Sequence, residues 1–200
     1  MNRSSSRIPI AFSGVNVRAS MVRTREAFVS ERFGIGAVQL LRSTATPALR
    51  DALMSQGDAW TPVELLMEVT TLVDRLFGRG DGALVWEAGR FAASHDAGIV
   101  RSLLARAMPP ATMVTLASGV WGKFYDGGKL VARPLLMAHG MTVSIEELAI
   151  THRGLCQSVG GWLQGMLEQG PRDEPRVVER SCLARGGVSC SFDVSWKEPS

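Results

Sequence analysis

Apolar residues recur every three or four positions through most of the chain before Asp126, a spacing typical of amphipathic helices. The clearest stripe follows the TPVE start signal, in which Thr61 is the expected N-cap and Glu64 completes a capping box. The same reading predicts an opening strand within residues 8–17 and helices at 21–33, 35–43, 47–55, 62–77, 82–96, 98–107 and 110–125.

After the Asp126-Gly127-Gly128 turn the period changes from about 3.6 to two. Strands are predicted at 129–137 and 141–148, then a long helix at 151–169 and a hairpin that turns around Gly186. Pro134 has no N–H to donate, so its strand is expected at an edge of the sheet. The order of elements predicts an α+β fold with an antiparallel sheet. The length of 200 residues fits one domain over residues 1–200, with a strand and helices in residues 1–58.

Composition limits the classes of protein to consider. Apolar residues make up 46% of the chain and charged residues 20%, which suits a globular core and excludes a disordered chain. No uninterrupted apolar run reaches the ~18 residues of a membrane span, and we expect a cytoplasmic protein. Arginines are frequent near the N-terminus, but no aromatic residues interleave them and no helix-turn-helix or zinc-finger spacing follows. Binding of nucleic acid is therefore not expected.

The three cysteines all fall in the last quarter of the chain, and an odd, sparse set favours reduced thiols over a disulfide scaffold. Cys182 and Cys190 are symmetric about Gly186, so they face each other across the predicted hairpin. With Cys156 and Glu179 they offer three sulfurs and a carboxylate, a tetrahedral set for a structural zinc. Because side chains alternate between the two faces of a strand, Glu179 and Cys182 should point to opposite faces unless the chain bulges between them. The alternative is that the cysteines are small buried hydrophobic residues.

This pattern, with GGWLQGML after the first cysteine, resembles the 4-vinyl-reductase domain family, which includes the sensor domains of phenol- and xylene-responsive activators. The resemblance covers residues 110–196 and implies structural zinc on Cys156, Glu179, Cys182 and Cys190. It also implies helices packed on a twisted antiparallel sheet, a fold shared with heme–nitric-oxide-binding domains and Golgi transport-particle subunits, and commonly a homodimer. The stretch from Trp60 to WGKFYDGGKL further resembles a myxobacterial paralogue family of unknown role. The chain carries neither a P-loop nor a DNA-binding motif of the activators. The pocket histidine and tryptophan of the phenol sensors are not found at matching spacing before Cys156, and Leu135 stands about where the tryptophan would be, so the resemblance implies the fold and the zinc rather than the ligand.

Four further residues are candidates for contact with a ligand. His95 lies on the apolar stripe of its helix, and Trp121, Phe124 and Tyr125 cluster where the next helix ends. The more ordinary interpretation is core packing for His95 and core packing or a dimer surface for the aromatic cluster, whereas a polar group in an apolar pocket is what orients a small molecule. Gly160, Gly161 and Gly165 are unfavourable inside a helix, so either a close contact between elements or a cavity should require them.

These observations lead to three hypotheses of function. The first is a non-enzymatic domain that senses a small hydrophobic or aromatic ligand, holds a structural zinc and signals through a homodimer. The second is a protein-interaction scaffold of the same fold without a ligand. The third is an accessory factor or enzyme in tetrapyrrole metabolism, for which no nucleophile–base arrangement is evident in the sequence.

Overall fold

Helices precede a four-stranded sheet in the computed structural model, which describes residues 14–95, 107–135, 139–148, 152–170 and 174–197. The elements are, in chain order, β1 (Asn16–Arg18), α1 (Ala19–Phe33), α2 (Ile35–Thr44), α3 (Pro47–Met54), β2 (Trp60–Pro62), α4 (Val63–Phe77), α5 (Ala83–His95), α6 (Pro110–Val120), β3 (Lys129–Pro134), β4 (Gly140–Glu146), α7 (Arg153–Leu167), β5 (Arg176–Ser181) and β6 (Cys190–Ser195). The predicted α+β class is confirmed.

The main sheet is antiparallel throughout, with the strand order β3-β4-β6-β5. Pro134 ends the edge strand β3, as its missing N–H predicts. Helix α6 packs on β3 and β4, whereas α7 packs on β5 and β6. Phe192 in β6 is fully buried between these layers. The two hairpins and the helix between them thus form one side of the molecule.

Helices α5 and α7 touch backbone to backbone because glycines face the contact. A Cβ atom at Gly89 would clash with the Ser158 carbonyl, and one at Gly161 would clash with the Trp86 carbonyl. Gly165 meets the Arg90 backbone in the same way. Of the two reasons that the sequence allowed for these glycines, close helix contact is therefore the one that the structure supports.

The sequence predicted most helix boundaries to within a few residues, with one clear error at Thr61. That residue lies in β2 and pairs with Val17, and α4 begins only at Val63 with Pro62 at the N-cap position. Strand pairing has overridden the local capping signal, and no side chain caps α4. The predicted helix at 98–107 and most of the predicted opening strand lie outside the described residues.

The core extends continuously from the N-terminal helices to the sheet and includes Leu41, Leu66, Leu155 and Phe192. No helix in the described part of the chain combines the length and hydrophobicity needed to cross a bilayer.

Candidate ligand site

A cavity of about 60 Å³ lies among α1, α5, α6 and α7. Trp121 and Phe124, which follow the end of α6, form one wall of it. The rest of the apolar wall comes from the four helices: Met21, Ala92, Ala117, Val120, Val159 and Trp162. Half of these eight side chains are buried, whereas Met21, Val120, Phe124 and Trp162 are half-buried and mark the outer side of the cavity.

Three polar side chains interrupt this apolar wall: Arg25, Tyr125 and Ser158. Each is at least 95% buried, with relative exposures of 2%, 4% and 5%. The Arg25 guanidinium donates from Nη2 to the Ser158 hydroxyl at 2.5 Å and from Nη1 to the Ala88 carbonyl at 3.4 Å. A few polar groups in an apolar enclosure are typical of sites that orient small molecules.

Burial raises the pKa of the Tyr125 hydroxyl far above its ordinary range, while the nearby positive charge of Arg25 acts in the opposite direction. The phenol therefore stays protonated at any physiological pH. Its ring stacks on Trp121 with the centroids 4.1 Å apart and the planes 8° from parallel. The Trp121 indole N–H donates to the Gly127 carbonyl at 3.1 Å, which fixes the orientation of the pair.

The aromatic segment is fastened to the N-terminal strand. Tyr125 forms a β-bridge with Val17, and the Arg18 N–H donates to the Phe124 carbonyl at 3.0 Å. Asn16 donates from its backbone and its side chain to the Asp126 carboxylate at 2.6 and 2.7 Å. These hydrogen bonds lower the pKa of Asp126 below its ordinary value. The aromatic wall of the cavity is thus hydrogen-bonded to β1, which in turn pairs with β2.

His95 does not belong to this cavity, contrary to its predicted role as a ligand contact. Its side chain is exposed at the end of α5, where the ring lies 5.0 Å from that of Phe91. The sequence placed it on the apolar stripe of α5, but at the last residue of the helix that stripe has already left the core.

Arg25 was missed in the sequence, although a signal for it was present. It lies three residues after Val22 and four before Val29, both fully buried, so it is a charged residue on the apolar stripe of α1. The sequence also gave no reason to single out Ser158 or Trp162.

An open groove of about 630 Å³ lies nearby between α1, α5 and α7. Charged side chains make up half of its described lining, including Arg32 paired with Glu87 and Arg90 paired with Glu168. These ion pairs are half-exposed or more on at least one side, so solvent screens them. The groove lacks the enclosure of the smaller cavity.

The three cysteines meet as the sequence predicted, at the junction of α7 with the final hairpin. Their sulfur atoms all lie within 4.8 Å of one another, and all three residues are buried. Cys156 and Cys190 form a disulfide with their Cα atoms 6.3 Å apart, and the Cys182 sulfur lies 3.4 Å from that of Cys156. Burial raises the pKa of the Cys182 thiol. The disulfide differs from the expected set of reduced thiols.

Glu179 does not join this group. The bulge that the alternation of side chains required is present between Glu179 and Ser181. However, one carboxylate oxygen of Glu179 faces Arg185 at 3.4 Å, and the other is buried without a hydrogen-bond partner among the described residues. Among the described residues, the group of side chains that could hold a metal ion consists of the three cysteines.

Comparisons with solved structures identify the fold. An H-NOX protein from S. oneidensis in the Fe(II) ligation state, a triple mutant, matches with a TM-score of 0.69 and 14% identity, covering 92% of this chain and 97% of its own. The Fe(II) unliganded H-NOX protein from K. algicida matches with a TM-score of 0.67 and 11% identity, covering 91% and 97%. A structure from a study of heme distortion in the H-NOX family gives 0.65 and 13%, covering 91% and 96%. No protein-family model and no curated protein matches the sequence.

The prediction of a structural zinc is wrong. The neighbours in fold are described with Fe(II) and heme rather than with zinc. In this chain Glu179 stands outside the sulfur group, and two of the three sulfurs are joined in a disulfide. A thiolate rather than a disulfide sulfur is the ligand that zinc requires, so the arrangement acts as a covalent staple.

Heme does not fit the described residues either. All three histidines of the sequence are described: His95 and His139 are exposed, and His152 caps the start of α7 by accepting from the Gly154 N–H at 3.1 Å. Neither a histidine nor a cysteine is among the residues that line the cavity. Its volume of about 60 Å³ is also far below the ~300–1,000 Å³ of sites for large ligands. The chain therefore has the H-NOX fold, but the described lining of its candidate site does not suit heme.

Proposed function

We propose that this chain is a non-enzymatic domain that binds and senses a small molecule in the cavity among α1, α5, α6 and α7. The observation that supports the proposal is an apolar enclosure with three buried polar groups, Arg25, Tyr125 and Ser158, in its wall. The fold that the chain shares with H-NOX domains is compatible with this role.

The chemistry of the wall favours binding over catalysis. The Ser158 hydroxyl accepts a hydrogen bond from Arg25, and no histidine or carboxylate is among the described residues of the wall. A serine nucleophile needs a base within hydrogen-bond reach, and an acid–base mechanism needs a titratable pair. The cavity thus holds groups that orient a ligand and none that transforms it.

The volume of the cavity limits the size of a ligand that it could hold without rearrangement. A cavity of about 150 Å³ binds benzene, and the volume here is about 60 Å³. A ligand of one ring therefore requires the half-buried side chains Met21, Phe124 and Trp162 to move outward. A ligand that stabilises this opened conformation would shift the population of the domain toward it, which is the thermodynamic basis of sensing.

The test is a thermal-shift titration with phenol, toluene and benzoate, comparing the wild type with A117L and W162A. A probe at 100 times its Kd stabilises the protein by ~2.7 kcal/mol, or roughly 5–10 °C for a chain of this size. Ala117→Leu fills the cavity and should abolish the shift, whereas Trp162→Ala enlarges it and should increase the response to toluene.

The control is Leu116→Ala, on the same helix but 52% exposed, which should leave the response unchanged. If none of the three probes changes the melting temperature of either the wild type or W162A, the proposal is contradicted.

A protein-interaction scaffold is the second candidate, favoured by exposed apolar side chains around the α1–α2 junction. Phe33, Ile35 and Leu40 have relative exposures of 39%, 70% and 47%. The expected homodimer stays a prediction, as does a cytoplasmic location, and this surface is where a dimer contact would be sought. Native mass spectrometry of wild type and Ile35→Lys tests both ideas: a dimer lost on substitution would support them, and a monomer in both would count against the homodimer.

A further inference from the structure

We infer that the ligand of the cavity is a small uncharged carbonyl compound, whose oxygen accepts hydrogen bonds from the hydroxyl groups of Tyr125 and Ser158. In this arrangement Tyr125 is the residue that determines specificity. The inference rests on the proposed function and names the chemical class of its ligand.

The first step is the hydroxyl group of Tyr125. The ring of this residue stacks on Trp121 and its backbone bridges to Val17, but among the described residues no hydrogen bond joins its hydroxyl to a neighbour. Tyr125 is 4% exposed, and burying a hydroxyl without a hydrogen bond is unfavourable. Because Tyr125 lines the cavity, an acceptor atom on a ligand would supply the missing bond.

The second step is that Tyr125 and Ser158 can both donate. Burial raises the pKa of the Tyr125 hydroxyl far above its ordinary range, so the group keeps its proton at physiological pH. The Ser158 oxygen accepts from the Arg25 guanidinium, which leaves its own proton to be donated. Within the described part of the chain, that proton has no acceptor either. The wall of the cavity therefore offers two hydroxyl donors.

The third step is the kind of acceptor that suits two donors in an apolar enclosure. A cavity of about 60 Å³ is small enough for both donors to lie near one ligand oxygen. A carbonyl oxygen has two acceptor positions and no proton of its own. An alcohol or an amide would bring a donor as well, and apart from the three polar residues the described lining is aliphatic or aromatic. That donor would be left without a partner, which is unfavourable.

The fourth step is the charge of the ligand. Both Nη atoms of Arg25 already donate hydrogen bonds, one to the Ser158 hydroxyl and one to the Ala88 carbonyl. The planar fork that usually binds a carboxylate is therefore engaged within the protein. A carboxylate would lose its hydration on entering the cavity without gaining that pair of bonds, whereas an uncharged carbonyl has much less hydration to lose.

The experiment compares two ketones with alkenes of nearly the same shape, in which a CH₂ group replaces the carbonyl oxygen. The pairs are cyclopentanone with methylenecyclopentane and acetophenone with α-methylstyrene, and benzoate is the charged probe. Dissociation constants come from NMR titrations of the labelled protein at pH 7. With the wild type, we expect each ketone to bind roughly three- to tenfold more tightly than its alkene, the gain typical of a neutral hydrogen bond. Benzoate should bind more weakly than acetophenone.

Two variants test the role of the hydroxyl. Tyr125→Phe keeps the ring that stacks on Trp121 and should remove most of the preference for ketones while leaving the affinity for the alkenes unchanged. Because the hydroxyl has no partner among the described residues, we expect no fall in the melting temperature of this variant. Thr115→Val is the control, because it removes a hydroxyl that bonds to the Ala111 carbonyl on α6, and it should keep the preference.

A spectroscopic measurement reports on the hydroxyl directly. Tyr125 is the only tyrosine of the chain, so labelling tyrosine with ¹³C at Cζ gives a single NMR signal from the carbon that carries the hydroxyl. Saturation with cyclopentanone should shift this signal more than saturation with methylenecyclopentane does. Equal shifts would contradict a hydrogen bond from Tyr125 to the ketone.

The remaining outcomes separate the inference from the proposed function. Equal affinity for ketone and alkene would overturn the inference and leave the proposed function standing. A preference that survives in Tyr125→Phe would overturn the role of Tyr125, and tighter binding of benzoate than of acetophenone would overturn the uncharged class. Failure of every ketone and alkene, together with phenol and toluene, would overturn the proposed function as well. If Tyr125→Phe does not fold, the wild-type pairs and the Cζ signal still decide the question.

Discussion

Helix α7 contributes to two buried regions that differ in character. At its start, Cys156 meets Cys182 and Cys190 in a sulfur cluster that ties the helix to the hairpin. Further along, Ser158 and Val159 face the cavity that Trp121 and Tyr125 close. The sulfur cluster carries the reactive residue types and is filled, whereas the cavity carries ordinary ones and has space. Residue chemistry alone therefore does not distinguish a staple from a binding site.

The largest expected effect is at the sulfur cluster. Removing the disulfide with Cys156→Ala frees a loop whose ends are 34 positions apart, and the chain-entropy model gives a loss of about 3–4 kcal/mol. Melting with and without reductant measures this loss, and Cys182→Ala, which breaks no covalent bond, should cost only ~1 kcal/mol. Titration of the denatured, unreduced protein should find one free thiol per chain. Three free thiols would show that the cluster is not a covalent staple.

The second-largest loss of stability is expected at the contact between α7 and α5. Gly161→Ala places a methyl group against the Trp86 carbonyl, and such overpacking costs roughly 1–3 kcal/mol. Gly119→Ala in α6 is the matched control, because nothing lies within 4 Å of the added carbon. There the change should stabilise the protein by up to ~1 kcal/mol. Chemical denaturation of both variants measures the difference, and equal effects would contradict the close helix contact.

The smallest effect is at the start of α7. Burial lowers the pKa of His152 below its ordinary value, and the neutral ring is the form whose Nδ1 caps the helix. Stability from this residue is therefore complete above about pH 6.5 and falls as the pH drops toward the folded-state pKa. His152→Asn keeps a capping side chain without a proton to gain. We expect it to reduce the loss of melting temperature between pH 7 and 5, by an amount equivalent to about 1 kcal/mol. Identical pH profiles would exclude His152 as the source.

Local sequence signals predicted the elements better than they predicted the sites. Periodicity placed α1, α2 and both hairpins because each depends on neighbours in sequence. The cap at Thr61 was wrong because a partner 44 positions away, Val17, pairs with it as a strand. Long-range pairing of this kind leaves no mark in a local window.

The same limit applies to the candidate sites. The meeting of the cysteines followed from hairpin symmetry. Whether their sulfurs bind an ion or each other depends also on Glu179, one of whose carboxylate oxygens faces Arg185. Arg25 reaches the cavity only because α1 packs beside α5 and α7, which no pattern within α1 specifies. Its place on an apolar stripe marks it as unusual without giving its partner.

Because α5 and α7 meet through bare backbone at Gly89, Gly161 and Gly165, neither can slide along the other without collision. The pair behaves as a rigid body, and the disulfide extends that body to the final hairpin. If a ligand enters as proposed, backbone displacement would therefore occur in the opposite walls, α1 and α6, whereas α7 would contribute only a side-chain movement of Trp162. Because the Phe124–Asp126 segment is hydrogen-bonded to β1, a movement of that segment would also displace β1. The domain would then have a rigid part, made of α5, α7 and the final hairpin, and a movable part, made of α1, α6 and β1.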